Sequence, residues 1–216
     1  VYITQDHENV DDVAAMLVDS GFVRREATIT FIASLKKMKD FKRGRYVIQK
    51  DEDWPTLINR FRIGDQQAIN VVVTSSRDWR SLSAKLGRQL MGDSAEFYNY
   101  LSSEAALDQS GMDRAGLPSI IIPNTYQMYW TISPEEFLER MMRENEVFWH
   151  SRDEKLKRLN LSRAEAVTLA SIVESETNKV DEMPTVAGLY LNRLRAGWKL
   201  QSDPTALYGM RQAFPD

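Results

Sequence analysis

The sequence predicts an α+β fold, in which a small β-α-α-β unit precedes a mixed, helix-rich domain. Two observations carry this expectation. Apolar residues recur at helical three-and-four spacing through most of the chain, bracketed by Ser, Asp or Pro starts and Gly stops. Continuous β-branched runs are few and short, the best being Ala68-Ile69-Asn70-Val71-Val72-Val73-Thr74. A doubly wound parallel sheet would contradict the reading.

In chain order, Val1-Tyr2-Ile3-Thr4 reads as a short strand. A helix over 10–20 follows, with Val10, Val13, Ala14 and Leu17 on one face and Gly21 as its stop. A second helix is expected over about 27–39, with Ile29, Ile32, Ala33 and Leu35 inward. Arg45-Tyr46-Val47-Ile48 reads as a strand. A third helix over 54–62 turns Leu57, Ile58 and Phe61 inward. The polar turn Gly64-Asp65-Gln66-Gln67 marks the expected boundary between a domain of residues 1–65 and one of 66–216. The Lys and Arg cluster between Lys36 and Arg45 reads as a solvated face.

After the strand at 68–74, helices are expected over 79–91 and 95–101. Ser110-Gly111 and Gly116-Leu117-Pro118 read as loops, and 120–126 as a strand running into a Pro123-Asn124 turn. Ser133 as N-cap and Pro134 at the first helical position open a long helix carried to about Leu156, whose Met and aromatic stripe, with Val147 and Phe148, reads as core. A further helix, 184–196, closes at Gly197 and turns Val186, Ala187, Tyr190, Leu191 and Leu194 inward.

Between these last two lies the helix of residues 162–177, with Ser162 as N-cap and Glu165 three residues on, a capping-box pattern. On a wheel of about 100° per residue, Leu169, Val173, Ala166, Ala170 and Ile172 form its apolar stripe. Glu176 falls inside that stripe and Glu174 at its margin. An acid on the apolar side is expected to be poorly solvated, which raises its pKa and suits a general acid working near neutrality.

Composition narrows the function. The chain has 216 residues, 43% hydrophobic and 27% charged, enough for a substantial core. A net charge of −3 gives no reason to expect a nucleic-acid partner. With no Cys, disulfide scaffolds, thiol nucleophiles and Cys-based zinc sites are excluded, and with two His, a multi-His metal site and a Ser-His triad are poorly supported. No metal and no cofactor are expected. No apolar run approaches the ~20 residues of a membrane span.

Three blocks now combine: Ala170-Ser171-Ile172-Val173-Glu174-Ser175-Glu176-Thr177, then Leu191-Asn192-Arg193-Leu194, then Leu200-Gln201-Ser202-Asp203-Pro204-Thr205-Ala206-Leu207-Tyr208-Gly209. In this order they closely resemble the YceG-like family, whose best-known members are MltG-type endolytic murein transglycosylases. Pro123-Asn124-Thr125-Tyr126 resembles a further block of that family, and residues 1–65, with Gly44-Arg45-Tyr46, look like its LysM-like domain. The resemblance implies a lytic transglycosylase, a lyase that cuts the β-1,4 bond between MurNAc and GlcNAc inside peptidoglycan glycan strands. The products end in 1,6-anhydroMurNAc, and the cut limits strand elongation.

The resemblance makes Glu176 the catalytic acid and Glu174 a supporting one. It makes Asn124, Asn192, Gln201, Asp203 and Thr205 candidate sugar hydrogen-bonders, with Tyr126 and Tyr208 as platforms. Asp203 before Pro204 also reads simply as a turn, and Asn192 lies opposite the apolar face of its helix. Peptidoglycan synthases are the implied partners. The implied location is the extracytoplasmic face of the bacterial membrane, reached through an N-terminal anchor missing from this chain. Two departures stand out: Asn124 replaces the family's usual Asp, and the chain stops at Asp216, before the C-terminal segment members carry. Two other classes fit the residues, a non-catalytic glycan-binding module and a two-carboxylate muramidase with Asp203 as second acid.

Overall fold

The computed structural model describes residues 1–7 and 9–213. The fold is mixed and helix-rich, with two small antiparallel sheets. Its elements run β1 (Tyr2–Ile3), α1 (Val10–Asp19), α2 (Glu26–Leu35), β2 (Gly44–Arg45), α3 (Trp54–Ile63), β3 (Ile69–Val73), α4 (Trp79–Gly87), α5 (Ser94–Leu101), α6 (Glu104–Ser110), a 3-10 turn (Leu117–Ile120), β4 (Asn124–Met128), α7 (Pro134–His150), α8 (Asp153–Leu159), α9 (Arg163–Glu176), α10 (Met183–Arg195) and α11 (Asp203–Ala213). The chain divides into two compact units. The first holds Val1–Gly111 and Ile122–Arg140, the second Met112–Ile121 and Met141–Asp216. The expected boundary at 64–67 thus falls within the first unit, and the division between units falls within α7.

In the first unit β1 and β2 pair antiparallel, Tyr2 opposite Arg45 and Ile3 opposite Gly44. Val13, Ala14 and Leu17 of α1, Ile29 of α2 and Leu57, Ile58 and Phe61 of α3 bury against Ile3 and Tyr46 to make one core. Asn9 caps α1 and Asp53 caps α3, whose end is set by Gly64 in the left-handed region at φ 80°. β3 and β4 pair over their full length, from Ile69 opposite Met128 to Val73 opposite Asn124. Gln89 serves as a surrogate strand at the open edge of β3. Its Oε1 accepts from the Val72 N–H at 2.8 Å and its Nε2 donates to the Val72 carbonyl at 3.1 Å.

In the second unit, α9 and α10 share one buried cluster, Ile172, Val173 and Tyr190, with Leu169, Met183, Val186, Ala187 and Leu200 packed around them. Arg163, in the first turn of α9, ties α9 to α8 and α7 through Asp153 at 2.7 Å and Glu146. Asn145 of α7 donates to the carbonyls of Ser119 and Ile120 at 2.9 and 3.2 Å, satisfying the end of the 3-10 turn.

Several expectations shift. Leu35 and Ala170 are exposed rather than inward, because each falls off the stripe that its neighbours bury, and Leu194, in line with Tyr190, is exposed in the last turn of α10. Val147 is exposed, since α7 buries Phe137, Leu138, Met141, Asn145 and Trp149. The second strand of the first unit is confined to Gly44–Arg45. Residues 117–120 form a 3-10 turn, so β4 begins only at Asn124. The long helix breaks at 151–152 and resumes as α8. Helices α6 and α11 were not foreseen.

Candidate functional site

Helix α9 opens as its sequence specifies: the Glu165 N–H donates to Ser162 Oγ, and the Ser162 N–H donates back to Glu165 Oε2 at 2.8 Å. It ends at Glu176, its last helical residue, because Thr177 leaves in extended conformation at φ −147°. A carboxylate there faces the negative end of the helix dipole, so it needs donors from elsewhere.

Two elements supply them. Tyr190 on α10 is buried, and its hydroxyl donates to Glu176 Oε1 at 2.6 Å. Ser202, in the link ahead of α11, is buried as well and donates from Oγ to the same oxygen, also at 2.6 Å. A serine directly before a helix ordinarily turns its oxygen back to the first-turn N–H groups, so this outward reach is a choice of partner. The link is shaped by three contacts. Arg193 donates to the Leu200 carbonyl, Thr205 Oγ1 donates to the Ser202 carbonyl at 2.7 Å, and Gln201 sits in the left-handed region at φ 52°. A left-handed non-glycine residue costs free energy and persists where surrounding contacts hold it.

Glu176 itself is exposed, and no described residue hydrogen-bonds its Oε2. One oxygen is therefore fixed by buried hydroxyls while the other faces solvent. Its pKa lies below the ordinary carboxylate value, chiefly through the Ser202 hydroxyl and then Tyr190, both of which favour the charged form. This corrects the expectation of a raised pKa: the wheel registers the apolar neighbours but not the two hydroxyls arriving from other elements. Tyr190 moves the other way, its pKa raised by burial and by the carboxylate it touches.

The remaining candidates divide. Glu174, Asn192, Gln201, Asp203 and Tyr208 are exposed, and Thr205 is half-buried. All six lie in the second unit, on α9, α10, α11 and the link before it. Asn192 lies on the exposed side of α10, and Asp203 begins α11, so the Asp203-Pro204 turn is a helix start. Asn124 and Tyr126 belong to β4 of the first unit. Asn124 is exposed and accepts from the Thr125 N–H, whereas Tyr126 is buried with its hydroxyl donating to the Ile122 carbonyl at 2.6 Å. Sugar stacking needs an open ring face, and Tyr126 presents none here. Sequence reasoning missed Tyr190 and Ser202. Tyr190 was placed in the core, where its ring does lie, but a buried tyrosine hydroxyl calls for a partner.

Among the described residues there is no cluster of three or more His, Asp or Glu fit to hold a metal ion, and no helix is long and apolar enough to cross a membrane.

A family model described as the YceG-like family matches residues 1–216. An endolytic murein transglycosylase of Streptococcus pneumoniae is 26% identical over 233 residues, covering 93% of this chain and 41% of that protein. One from Bacillus subtilis is 20% identical over 216 residues, covering 93% of this chain and 60% of that protein. The chain therefore spans about two fifths to three fifths of the length of these curated relatives. A crystal structure of a yceG-like protein from Listeria monocytogenes superposes with a TM-score of 0.56 at 17% identity, covering 97% of this chain and 74% of that one, a likeness of fold.

Proposed function

We propose that this chain, which belongs to the YceG-like family, is the catalytic part of an endolytic peptidoglycan transglycosylase that works with Glu176 as its single acid–base residue. The observation that carries the reading is the Glu176 carboxylate itself, with Oε1 pinned by Tyr190 and Ser202 and Oε2 turned to solvent. The names of the similar proteins from Streptococcus pneumoniae and Bacillus subtilis support the substrate class.

The chemistry needs one proton and no water. Protonated Glu176 gives its proton to the glycosidic oxygen as the C1–O4 bond between MurNAc and GlcNAc breaks. The C6 hydroxyl of the same MurNAc attacks C1, and the Glu176 carboxylate takes the hydroxyl proton. The product is a 1,6-anhydro ring, and the carboxylic acid is regenerated. Intramolecular attack supplies the nucleophile at high effective concentration, and a positioned acid–base group contributes about 10²–10⁴-fold. The depressed pKa means that Glu176 is ionised in the free protein near neutrality. A glycan lying over Oε2 would exclude water from that oxygen, which favours the protonated acid.

Glu174 precedes Glu176 by two residues, about 200° on the wheel, so the two cannot flank one sugar as acid and nucleophile. Asn192, Gln201, Asp203, Thr205 and Tyr208 remain candidates for glycan contact within the second unit, and Asn124 of β4 is a separate candidate, in the first unit, from the resemblance alone. On the same reading, residues 1–65 form a LysM-like domain ahead of a catalytic domain at 66–216. Their β1-α1-α2-β2 order supports this. Also proposed, from the resemblance alone, are an anchor in the bacterial cell membrane, action on its outer face, and cooperation with peptidoglycan synthases to limit strand length.

The test is the mass of the released muropeptides. This reading expects anhydro ends, one water lighter than reducing ends, lost in Glu176→Gln and only weakened in Glu174→Gln. Reducing ends as the main product would favour a hydrolase with Asp203 as second carboxylate. Binding to sacculi with no release by the unmutated chain would favour a glycan-binding module.

A further inference from the structure

Helix α2 is apolar on its inward side and uncharged on its outward one. Its inward residues Ile29 and Ala33 are buried. Its outward face carries Ala27, Thr28, Phe31, Ser34 and Leu35, all exposed and none charged. Phe31 and Leu35, one turn apart, are 63% and 68% exposed, and Phe22, in the turn ahead of the helix, is 45% exposed. A surface helix ordinarily shows water a charged or polar face, and an uncharged outward face with two large apolar side chains marks a contact surface.

The charges sit at the two ends instead. Arg24 and Arg25 precede the helix, while Lys36, Lys37 and Lys39 follow it, and Glu26 is the single acid between residues 24 and 39. All five cations are exposed, and none forms an ion pair among the described residues. A ten-residue helix is about 15 Å long, so the cations bracket an apolar ridge of two turns.

We propose that this face of α2 docks on the headgroup layer of an anionic phospholipid membrane. Phe31 and Leu35, with Phe22, enter the boundary between headgroups and acyl chains. The flanking Lys and Arg side chains meet the phosphates, their stems lying along the same apolar level. Charge decides among the occupants. A second copy docking ridge to ridge would bring the cationic helix ends of both copies together. A soluble polyanion would satisfy the cations but leave the aliphatic Leu35 without a counterpart. An anionic bilayer satisfies both features. The inference is independent of the catalytic assignment, since α2 belongs to the first unit and Glu176 to the second.

Co-sedimentation of the 216-residue chain with vesicles tests it, comparing pure phosphatidylcholine with phosphatidylcholine mixed with phosphatidylglycerol. The chain is expected to pellet with the anionic vesicles alone, less so as salt rises. Lys36→Glu with Lys37→Glu should weaken the partitioning at least about tenfold. Phe31→Ser with Leu35→Ser should also weaken it at unchanged charge, with both pairs keeping the parent's circular dichroism and melting profile. Equal binding to neutral vesicles would overturn the proposal. So would loss in the charge pair without loss in the apolar pair, the signature of a polyanion site. A dimer seen by ultracentrifugation and abolished by Phe31→Ser with Leu35→Ser would overturn it in favour of a second copy.

Discussion

Tyr190 and Glu176, fourteen residues apart on successive helices, meet at 2.6 Å through a single carboxylate oxygen. Ser202 reaches the same oxygen from the link before α11. An acid fixed by one oxygen keeps its orientation while the other remains available to a substrate, which is the preorganisation that proton transfer requires.

Both hydroxyls favour the charged carboxylate, so removing either raises the Glu176 pKa. The acid acts protonated, so the alkaline limb of kcat/KM follows this group in the free enzyme. Tyr190→Phe and Ser202→Ala are each expected to move that limb to higher pH while lowering kcat about tenfold, the usual worth of one hydrogen bond to a charged group. Tyr190→Phe retains the ring in the core, so folding is preserved. A pH–rate profile on glycan strands checks this, and a limb that stays put or moves to lower pH contradicts it.

Arg60 joins two acids of the first unit. Its Nη1 lies 2.8 and 2.9 Å from the Glu52 oxygens and 3.2 Å from the Val47 carbonyl, and its Nε lies 3.3 Å from Asp65. The Arg60 and Glu52 side chains are 13% and 9% exposed, so truncating the arginine strands a nearly dry carboxylate. Arg60→Ala should cost about 2–4 kcal/mol in urea unfolding. Replacing both partners by apolar residues, Arg60→Met with Glu52→Leu, should recover much of that loss. A double variant as unstable as Arg60→Ala would show that the cost was packing rather than a stranded charge.

Two glycines should answer oppositely to alanine. A Cβ at Gly87 would lie 2.6 Å from the Ser94 nitrogen and 3.0 Å from the Asp93 carbonyl carbon, both backbone where the link from α4 enters α5. Gly87→Ala must move that link and should cost about 1–3 kcal/mol. Gly188 is inside α10 with nothing within 4 Å of its would-be Cβ, so Gly188→Ala should stabilise by up to about 1 kcal/mol. Thermal melts that shift in the same direction for both would contradict the contrast.

What the sequence could specify was what is local. The Ser162–Glu165 capping box and the Ser133-Pro134 start both form as read. Gly21 and Gly197 stop their helices with φ of 74° and 68°. Leu57, Ile58 and Phe61 bury as their spacing requires. Leu35 misled because it closes the apolar run of Ile29, Ile32 and Ala33, yet on the wheel it lies beside Phe31 on the outward side. Helix α11 hid behind the Asp203-Pro204 pair, which signals a turn and a helix start equally well. The hydroxyls on Glu176 hid for a different reason. Their meeting depends on how α10 and the 197–202 link pack against α9, and no short-range pattern encodes that.

The link that carries Ser202 is itself held by Arg193, whose Nη1 donates to the Leu200 carbonyl. Arg193 is half-buried on α10, three residues after Tyr190, so one helix supplies a donor to Glu176 and the brace for the second donor. Arg193→Ala frees that carbonyl and loosens the left-handed turn at Gln201, so it should act on catalysis through the Ser202 hydroxyl. The expected signature is a fall in kcat with little change in KM, because the interaction lost matters chiefly in the transition state. It should also couple. Arg193→Ala combined with Ser202→Ala should be about as slow as the slower single variant, since the brace has nothing left to position. Arg193→Lys, which keeps a donor but not the planar fork, should recover part of the rate. Fully multiplicative losses in the double variant would show that Arg193 acts on something other than Ser202.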